Sequence, residues 1–363
     1  LNEDQNHQGF TKEQQKVLDS VGISRILIPV LIGLAVVVYL IYIQLDFDEL
    51  KAISWNAHLF IWISLAIFMY FLRHLFYAWR LKLLSDHQFS WWKSIELIFI
   101  WEFSSAISPT SIGGSAVALF FLAQEKISSA KSATIVLYTI VLDTAFTILS
   151  LFFIYIIFGP HMIRPGQETL LGMDGIGLTF ILVMLIMMSY AILIFYGLFV
   201  NPVPIKRFLI WMSKFKLLNR FKTSLRDTAT DIVLSSSNLA HQSVFYHLNA
   251  FISTSGAWIC RFLAINFIIV AFVSSRDFDM MDHLLLLGRG EVMHVITAFS
   301  PTPGGAGIAE LIFGRFYSDF IAKGLALLAA LIWRIITYYP YLIAGVIIIP
   351  NWIRNIVNRR RIS

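Results

Sequence analysis

Long apolar runs separated by short polar connections dominate this chain. Runs long enough to cross a hydrocarbon core of about 30 Å lie at roughly 24–44, 57–80, 132–159, 176–200, 245–273 and 324–350. They predict six full crossings. Two further apolar stretches, roughly 91–107 and 283–299, run directly into Ser-Pro-Thr sequences and resume as short apolar segments ending near 123 and 320. These are expected to form bent or re-entrant helical hairpins.

The reason for the bends is local chemistry. The sequence FSPTPGGAGIAE, Phe299 to Glu310, places Pro301 and Pro303, which lack backbone donors, beside Gly304, Gly305 and Gly307, which admit conformations closed to other residues. Non-helical backbone at membrane depth survives only when it is buried in protein or lines a wet cavity. A second copy, ISPTSIGGSA from Ile107 to Ala116, carries Pro109 and the pair Gly113 and Gly114. Asp143 follows Ser108 by 35 positions and Arg334 follows Ser300 by 34, so the two are equivalent positions. Glu102 stands seven residues before Pro109, as His294 stands seven before Pro301. The chain therefore reads as two related halves built by duplication.

Orientation follows from Lys and Arg in short connections, because the cytoplasmic side keeps the excess. The segment 201–243 carries Lys206, Arg207, Lys214, Lys216, Arg220, Lys222 and Arg226 and is expected inside, as are Arg354, Arg359, Arg360 and Arg361. Connections 45–56, 160–175 and 274–282 each hold one basic residue against two or three acidic ones and are expected outside. Lys323 fits poorly at an outer turn. Each hairpin must then enter and leave by one face, the first from the cytoplasm and the second from outside. An inverted-topology repeat follows: a polar tail 1–23, a first membrane repeat 24–159, an outer connection 160–174, a second repeat 175–350 and a basic tail 351–363. If the motif helices cross completely, the repeat is parallel instead. Within the second repeat, 204–235 mixes basic residues with Phe208, Leu209, Trp211 and Phe215. It reads as an amphipathic helix on anionic headgroups, or as a linker helix packed on its own protein.

Composition narrows the class further. The 363 residues are 58% hydrophobic and 14% charged, with a mean hydropathy of +0.73. An ordinary soluble domain is excluded, and an all-α polytopic membrane protein in the cell (inner) membrane with both termini cytoplasmic is expected. The net charge of +6 does not point to nucleic acid, because the basic residues cluster between apolar runs. Cys260 is the single cysteine, which rules out a disulfide framework and a cysteine metal cluster. Residues 1–19 are polar with no apolar signal core, so a surface or disordered tail is expected.

The remaining charges stand where lipid should be. Glu96, Glu102, Asp143, Arg261, Arg289, Glu291, His294, Glu310 and Arg334 lie in or beside apolar runs. Each costs about 2.5–3.5 kcal/mol at a helix centre, so they should face a wet interior or pair with one another. Asp143 and Arg334, equivalent under the repeat, are expected as an ion pair or as opposite poles of a cavity. The bland alternative is a structural bridge. Glu310 suits a helix N-terminal cap, Arg289 and Glu291 could snorkel to the outer interface, and His294 alone suits a hydrogen-bonded core residue. No HExxH, CxxC, Walker loop or nucleophile elbow is present, so no catalytic residue, metal ligand or cofactor is assigned.

With these residues in view, the chain resembles the lysylphosphatidylglycerol synthase transmembrane family, the flippase-type membrane domain of multiple peptide resistance factors and their stand-alone relatives. SPTPGGAGIAE at 300–310 is similar to that family's Pro-Gly-Gly-x-Gly-x-x-Glu signature, and Arg334 stands where the family tends to carry Arg. YAWRLKLL at 77–84, the motif at 108–114 and Asp143 are similar to its first-half pattern. After the first Gly pair the family often has an acidic residue and then Arg, whereas Ser115, Ala116, Val117 and Ala118 stand here. The resemblance implies movement of a lipid between leaflets, commonly an aminoacylated phospholipid. The expected partner is a membrane lipid with a phosphate-containing headgroup, with proton or ion coupling permitted by the acidic residues. Thr110, Ser111 and Thr302 would replace headgroup water. An intramembrane transferase using Glu102, Asp143 or Glu310 is the alternative, and a scaffold for a lipid-modifying enzyme is the third reading.

Overall fold

The computed structural model describes residues 55–108, 111–125, 127–166, 168–169, 175–212, 236–298, 300, 302, 305 and 307–362. The first predicted crossing at 24–44, the polar tail before it, and Pro109, Thr110, Pro301, Pro303 and Gly304 lie outside the described residues. The principal elements are α1 Ala57–Leu84, α2 Trp91–Ile107, α3 Ser111–Gln124, α4 Ser129–Phe158, α5 Ile176–Phe199, α6 Val203–Met212, α7 Val244–Phe272, α8 Met280–Thr297, α9 Ile308–Phe316, α10 Lys323–Thr337 and α11 Tyr339–Ile362. A 3-10 turn, Gly159–Met162, follows α4. Side-chain caps fix the starts of five helices, with Asn56, Ser90, Ser128, Ser243 and Asp279 each accepting a first-turn backbone N–H.

Among the described residues, five helical stretches are long and apolar enough to cross a membrane: Ala57–Leu84, Ser129–Met162, Ile176–Phe199, Val244–Phe272 and Gly324–Ile356. Their outward faces carry Phe152, Phe153, Ile156, Leu193, Ile343 and Ile347, all exposed. Water would penalise such a girdle, whereas lipid solvates it. The chain is an all-α polytopic membrane protein.

α1 and α7 pack antiparallel, from His58 Nε2 on Val270 O at 3.0 Å to Arg80 on the Thr254 hydroxyl at 3.2 Å. α2 starts just beyond the end of α1, and α8 starts just beyond the end of α7, where Asn266 Nδ2 donates to His283 O at 2.9 Å. The helix pairs α2–α3 and α8–α9 therefore open toward opposite ends of the bundle. An ion pair closes each open end. Lys93 meets Glu125 at 2.6 Å in the first pair, and Arg289 meets Asp319 at 2.5 Å in the second.

The apolar interior is split into two cores. One collects residues such as Ile154, Phe262, Val292 and Phe313, and the other Leu81, Phe103, Phe121 and Leu342. Five helices contribute to both, and on each the changeover falls at one level. It lies between Tyr70 and Tyr77 on α1, between Leu142 and Phe146 on α4, between Met187 and Leu198 on α5, between Ala257 and Trp258 on α7, and between Tyr341 and Leu342 on α11. Arg73 and Asp143 stand at that level, and Asp143 is at the midpoint of its helix. A polar layer thus lies halfway along the bundle.

Two local expectations need correction, and a third gains a local detail. Gly113 and Gly114 do not break the first hairpin, because both lie inside α3. A Cβ on Gly114 would sit 1.9 Å from Ser105 Oγ, so this glycine permits close packing of α3 on α2. The run 324–350 falls within the candidate span Gly324–Ile356 as expected, with a one-residue break at Tyr338, two residues before Pro340, whose ring and missing donor oppose a continuous helix. α11 then continues through 351–362, which is helix rather than tail.

One contact fixes how α11 sits on the first hairpin. A Cβ on Gly345 would lie 2.1 Å from the Phe103 ring. Gly345→Val is expected to lower the melting temperature in detergent, at an overpacking cost of about 1–3 kcal/mol. An unchanged melting curve would mean that α11 does not hold this contact.

Candidate functional site

A cavity of about 630 Å³ occupies the polar layer and is lined by residues from every helix named above except α6 and from both hairpin tips. Its floor comes from α1. Tyr70, Arg73, Tyr77 and Arg80 recur at helical spacing on one face and all reach the cavity. Arg73 is 1% exposed, and its Nη1 donates to Tyr341 OH at 2.9 Å and Tyr70 OH at 3.2 Å. Its Nη2 holds Glu102 at 2.9 Å. The guanidinium also lies 4.6 Å from the Tyr77 ring centroid and 4.9 Å from that of Tyr70, which favours a desolvated cation.

The second cation of this face, Arg80, pairs with Asp143 at 2.5 Å. Trp258 Nε1 donates to the same Asp143 oxygen at 2.9 Å. The direct pair between Asp143 and Arg334 is not formed. Arg334 instead donates through Nε to Glu310 at 2.6 Å. The two residues therefore have different partners, although both Asp143 and Arg334 line the cavity.

Glu310 has two tasks. Its Oε2 accepts from Gly307 N at 2.7 Å, capping α9, while Oε1 takes the Arg334 bond. Gly305 and Gly307 adopt φ of 69° and 84°, the left-handed region that strains residues with a Cβ. At this tip Ser300 Oγ and Thr302 Oγ1 lie 2.8 Å apart, and Ser300, Thr302 and Gly305 face the cavity. Ser105, Ser108 and Ser115 of the first hairpin face it too. Tyr338 OH donates to Ala106 O at 3.1 Å, so the α10–α11 break braces the first tip as Arg334 braces the second.

Arg261 is different from the other lining arginines. It stacks over Trp258 with 5.2 Å to the ring centroid and makes no ion pair among the described residues. Counting Arg73, Arg80, Arg261 and Arg334 against Glu102, Asp143 and Glu310 leaves one formal positive charge. His294 lies beside Arg261's stacking partner, 4.8 Å from the Trp258 ring centroid.

Of the residues singled out in sequence, Glu102, Asp143, Arg261, His294, Thr302 and Arg334 meet at the cavity, with Glu310 directly behind Arg334. Ser111 begins α3, and Thr110 lies outside the described residues. Arg289 and Glu291 do not reach the cavity and do not snorkel. Both are buried, Arg289 at 2% exposure on Asp319 and the Phe316 carbonyl, Glu291 fully buried on Ser150. Glu96 pairs with Lys93 near the open end of the first hairpin. Arg73 and His74 were missed, and Arg80 entered only as part of the YAWRLKLL motif, because the run containing them reads as a plain crossing. The spacing of Tyr70, Arg73, Tyr77 and Arg80 was the available signal.

The family model described as the lysylphosphatidylglycerol synthase TM region matches residues 26–345. The chain belongs to the lysylphosphatidylglycerol synthase TM family. A curated relative from Archaeoglobus fulgidus, described as a UPF0104 membrane protein, is 27% identical over 285 residues, covering 75% of this chain and 81% of the relative. No solved structure matches. In this member of the lysylphosphatidylglycerol synthase TM family, the segment 300–310 builds one wall of the cavity through Ser300, Thr302, Gly305 and Ala309. The family is linked to lipid handling.

Proposed function

We propose that this protein moves an anionic lipid with a phosphate-containing headgroup between the two leaflets. The observation that carries the reading is Arg261, a guanidinium in the mid-bundle cavity that makes no direct ion pair among the described residues. A guanidinium offers paired donors to phosphate oxygens. The serine and threonine hydroxyls on both hairpin tips can replace part of the headgroup's water. Ile186 of α5 lines the cavity and is 54% exposed. That gives the acyl chains a place in lipid while the headgroup is inside.

The architecture behind this reading is an inverted repeat with two re-entrant hairpins. Their opposite openings and the lysine and arginine distribution support it, with the first hairpin opening to the cytoplasm and the C-terminus cytoplasmic. Rocking one half against the other would expose the cavity to each leaflet in turn. The transferase alternative is less well supported, because Glu102, Asp143 and Glu310 are each engaged by an arginine.

The test is leaflet exchange in proteoliposomes with fluorescent phosphatidylglycerol, phosphatidylcholine and a neutral glycolipid. Phosphatidylglycerol should equilibrate severalfold faster than in protein-free vesicles, with a smaller gain for the others. Exchange equal to protein-free vesicles for all three lipids would refute the translocator reading.

A further inference from the structure

Glu291 lies apart from the cavity and is the buried charge that the lipid site does not use. Its side chain is fully buried, Oε2 accepts from Ser150 Oγ at 2.7 Å, and Oε1 has no hydrogen-bond partner. A carboxylate at membrane depth normally requires several donors or a cation, since stripping it of water costs several kcal/mol. One hydroxyl does not meet that need, so the un-ionised acid suits this setting.

No charged group faces Glu291 from any neighbouring element. α5 carries no Asp, Glu, Lys, Arg or His along its length. On α4, Asp143 lies two turns from Ser150 and is held by Arg80. On α7, Arg261 stacks on Trp258, and on α9, Glu310 is taken by Arg334 while Arg315 is exposed. On its own helix, Arg289 turns away to Asp319 and to the carbonyl of His161 in the 3-10 turn, whose ring is exposed. His294, three residues on and so on the same face of α8, lines the cavity. Thr147, three residues before Ser150 on α4, lines it as well. The acid therefore sits one helical turn from the cavity wall on both helices that hold it.

We infer that Glu291 is a proton-binding site coupled to movement of the anionic lipid, loading and releasing its proton through the cavity face marked by His294 and Thr147. This rests on the translocator reading. One proton bound at Glu291 offsets one negative headgroup charge, so the pair crosses without net charge movement. A sodium ion is the weaker occupant, because it needs more oxygen ligands than a carboxylate and one hydroxyl supply.

Two measurements on the full chain test the site, using wild type and Glu291→Gln. In the first, infrared difference spectra of the purified protein follow the protonated-carboxyl stretching band as pH is raised. The wild type should show a titrating band that Glu291→Gln lacks, and identical spectra would overturn the proton site whatever the lipid does. In the second, steady-state leaflet distribution of fluorescent phosphatidylglycerol is measured with and without a pH gradient. One proton per lipid shifts the wild-type distribution about tenfold per pH unit, and Glu291→Gln should show no such shift. A distribution indifferent to the gradient in the wild type, or equally responsive in the variant, would overturn the coupling. If the wild type shows the band but moves no lipid, the translocator reading fails and takes the coupling with it.

Discussion

Arg261→Glu is expected to reduce phosphatidylglycerol exchange to the level of protein-free vesicles while leaving the melting temperature close to wild type. The arginine's contact is stacking on Trp258, so little of the fold depends on its charge. Its replacement turns the formal excess of one positive charge in the cavity into an excess of one negative charge, and an anionic headgroup then meets repulsion. Removing the charge alone is a milder change. A charge-assisted hydrogen bond contributes about 1.5–3 kcal/mol, so Arg261→Gln should slow exchange about 10- to 100-fold. Arg261→Lys keeps the charge without the paired donors and should fall between wild type and Arg261→Gln. Arg73 gives a different outcome, because its removal would strand Glu102 and disturb folding as well as transport. Arg261→Glu exchanging phosphatidylglycerol at the wild-type rate would remove the basis for an anionic substrate.

Much of this arrangement was legible in the chain because prolines and glycines interrupt otherwise helical sequence at only a few places. The breaks after Ile107 and Thr297 fall where the Ser-Pro-Thr motifs stand. The pairing of charges was not legible. Asp143 and Arg334 are equivalent in sequence, but which carboxylate meets which guanidinium depends on the rotation of α1, and that helix averages as apolar despite Arg73 and Arg80. The surroundings of Glu291 were equally hidden, since its hydroxyl partner Ser150 lies 141 positions away. The Gly113 and Gly114 pair shows the opposite error. Glycine often ends a helix, yet Gly114 is used for its lack of bulk against Ser105. The break at Tyr338 was read through because the aliphatic residues on either side of it keep the run apolar as a whole.

Arg334→Met is expected to destabilise the protein by about 3–5 kcal/mol, the cost of leaving one member of a buried pair uncompensated. Glu310 is 3% exposed and Arg334 is 6% exposed, so water cannot replace the lost bond without opening the tip. Glu310 also caps α9 through Gly307, and this ties the ion pair to the backbone of the second hairpin. The double variant Glu310→Gln with Arg334→Met removes the stranded charge and keeps an amide oxygen able to accept from Gly307. It should therefore melt above the Arg334→Met single variant, as a double-mutant cycle would register. A double variant no more stable than Arg334→Met would show that the two side chains act independently. The second tip would then owe its shape to its glycines alone. If the cycle closes as expected, the two tips are held by different chemistry, an ion pair in the second and the Tyr338 hydroxyl on a carbonyl in the first. A neutral hydrogen bond is the weaker brace, so the first hairpin is the half expected to yield when the cavity changes its exposure.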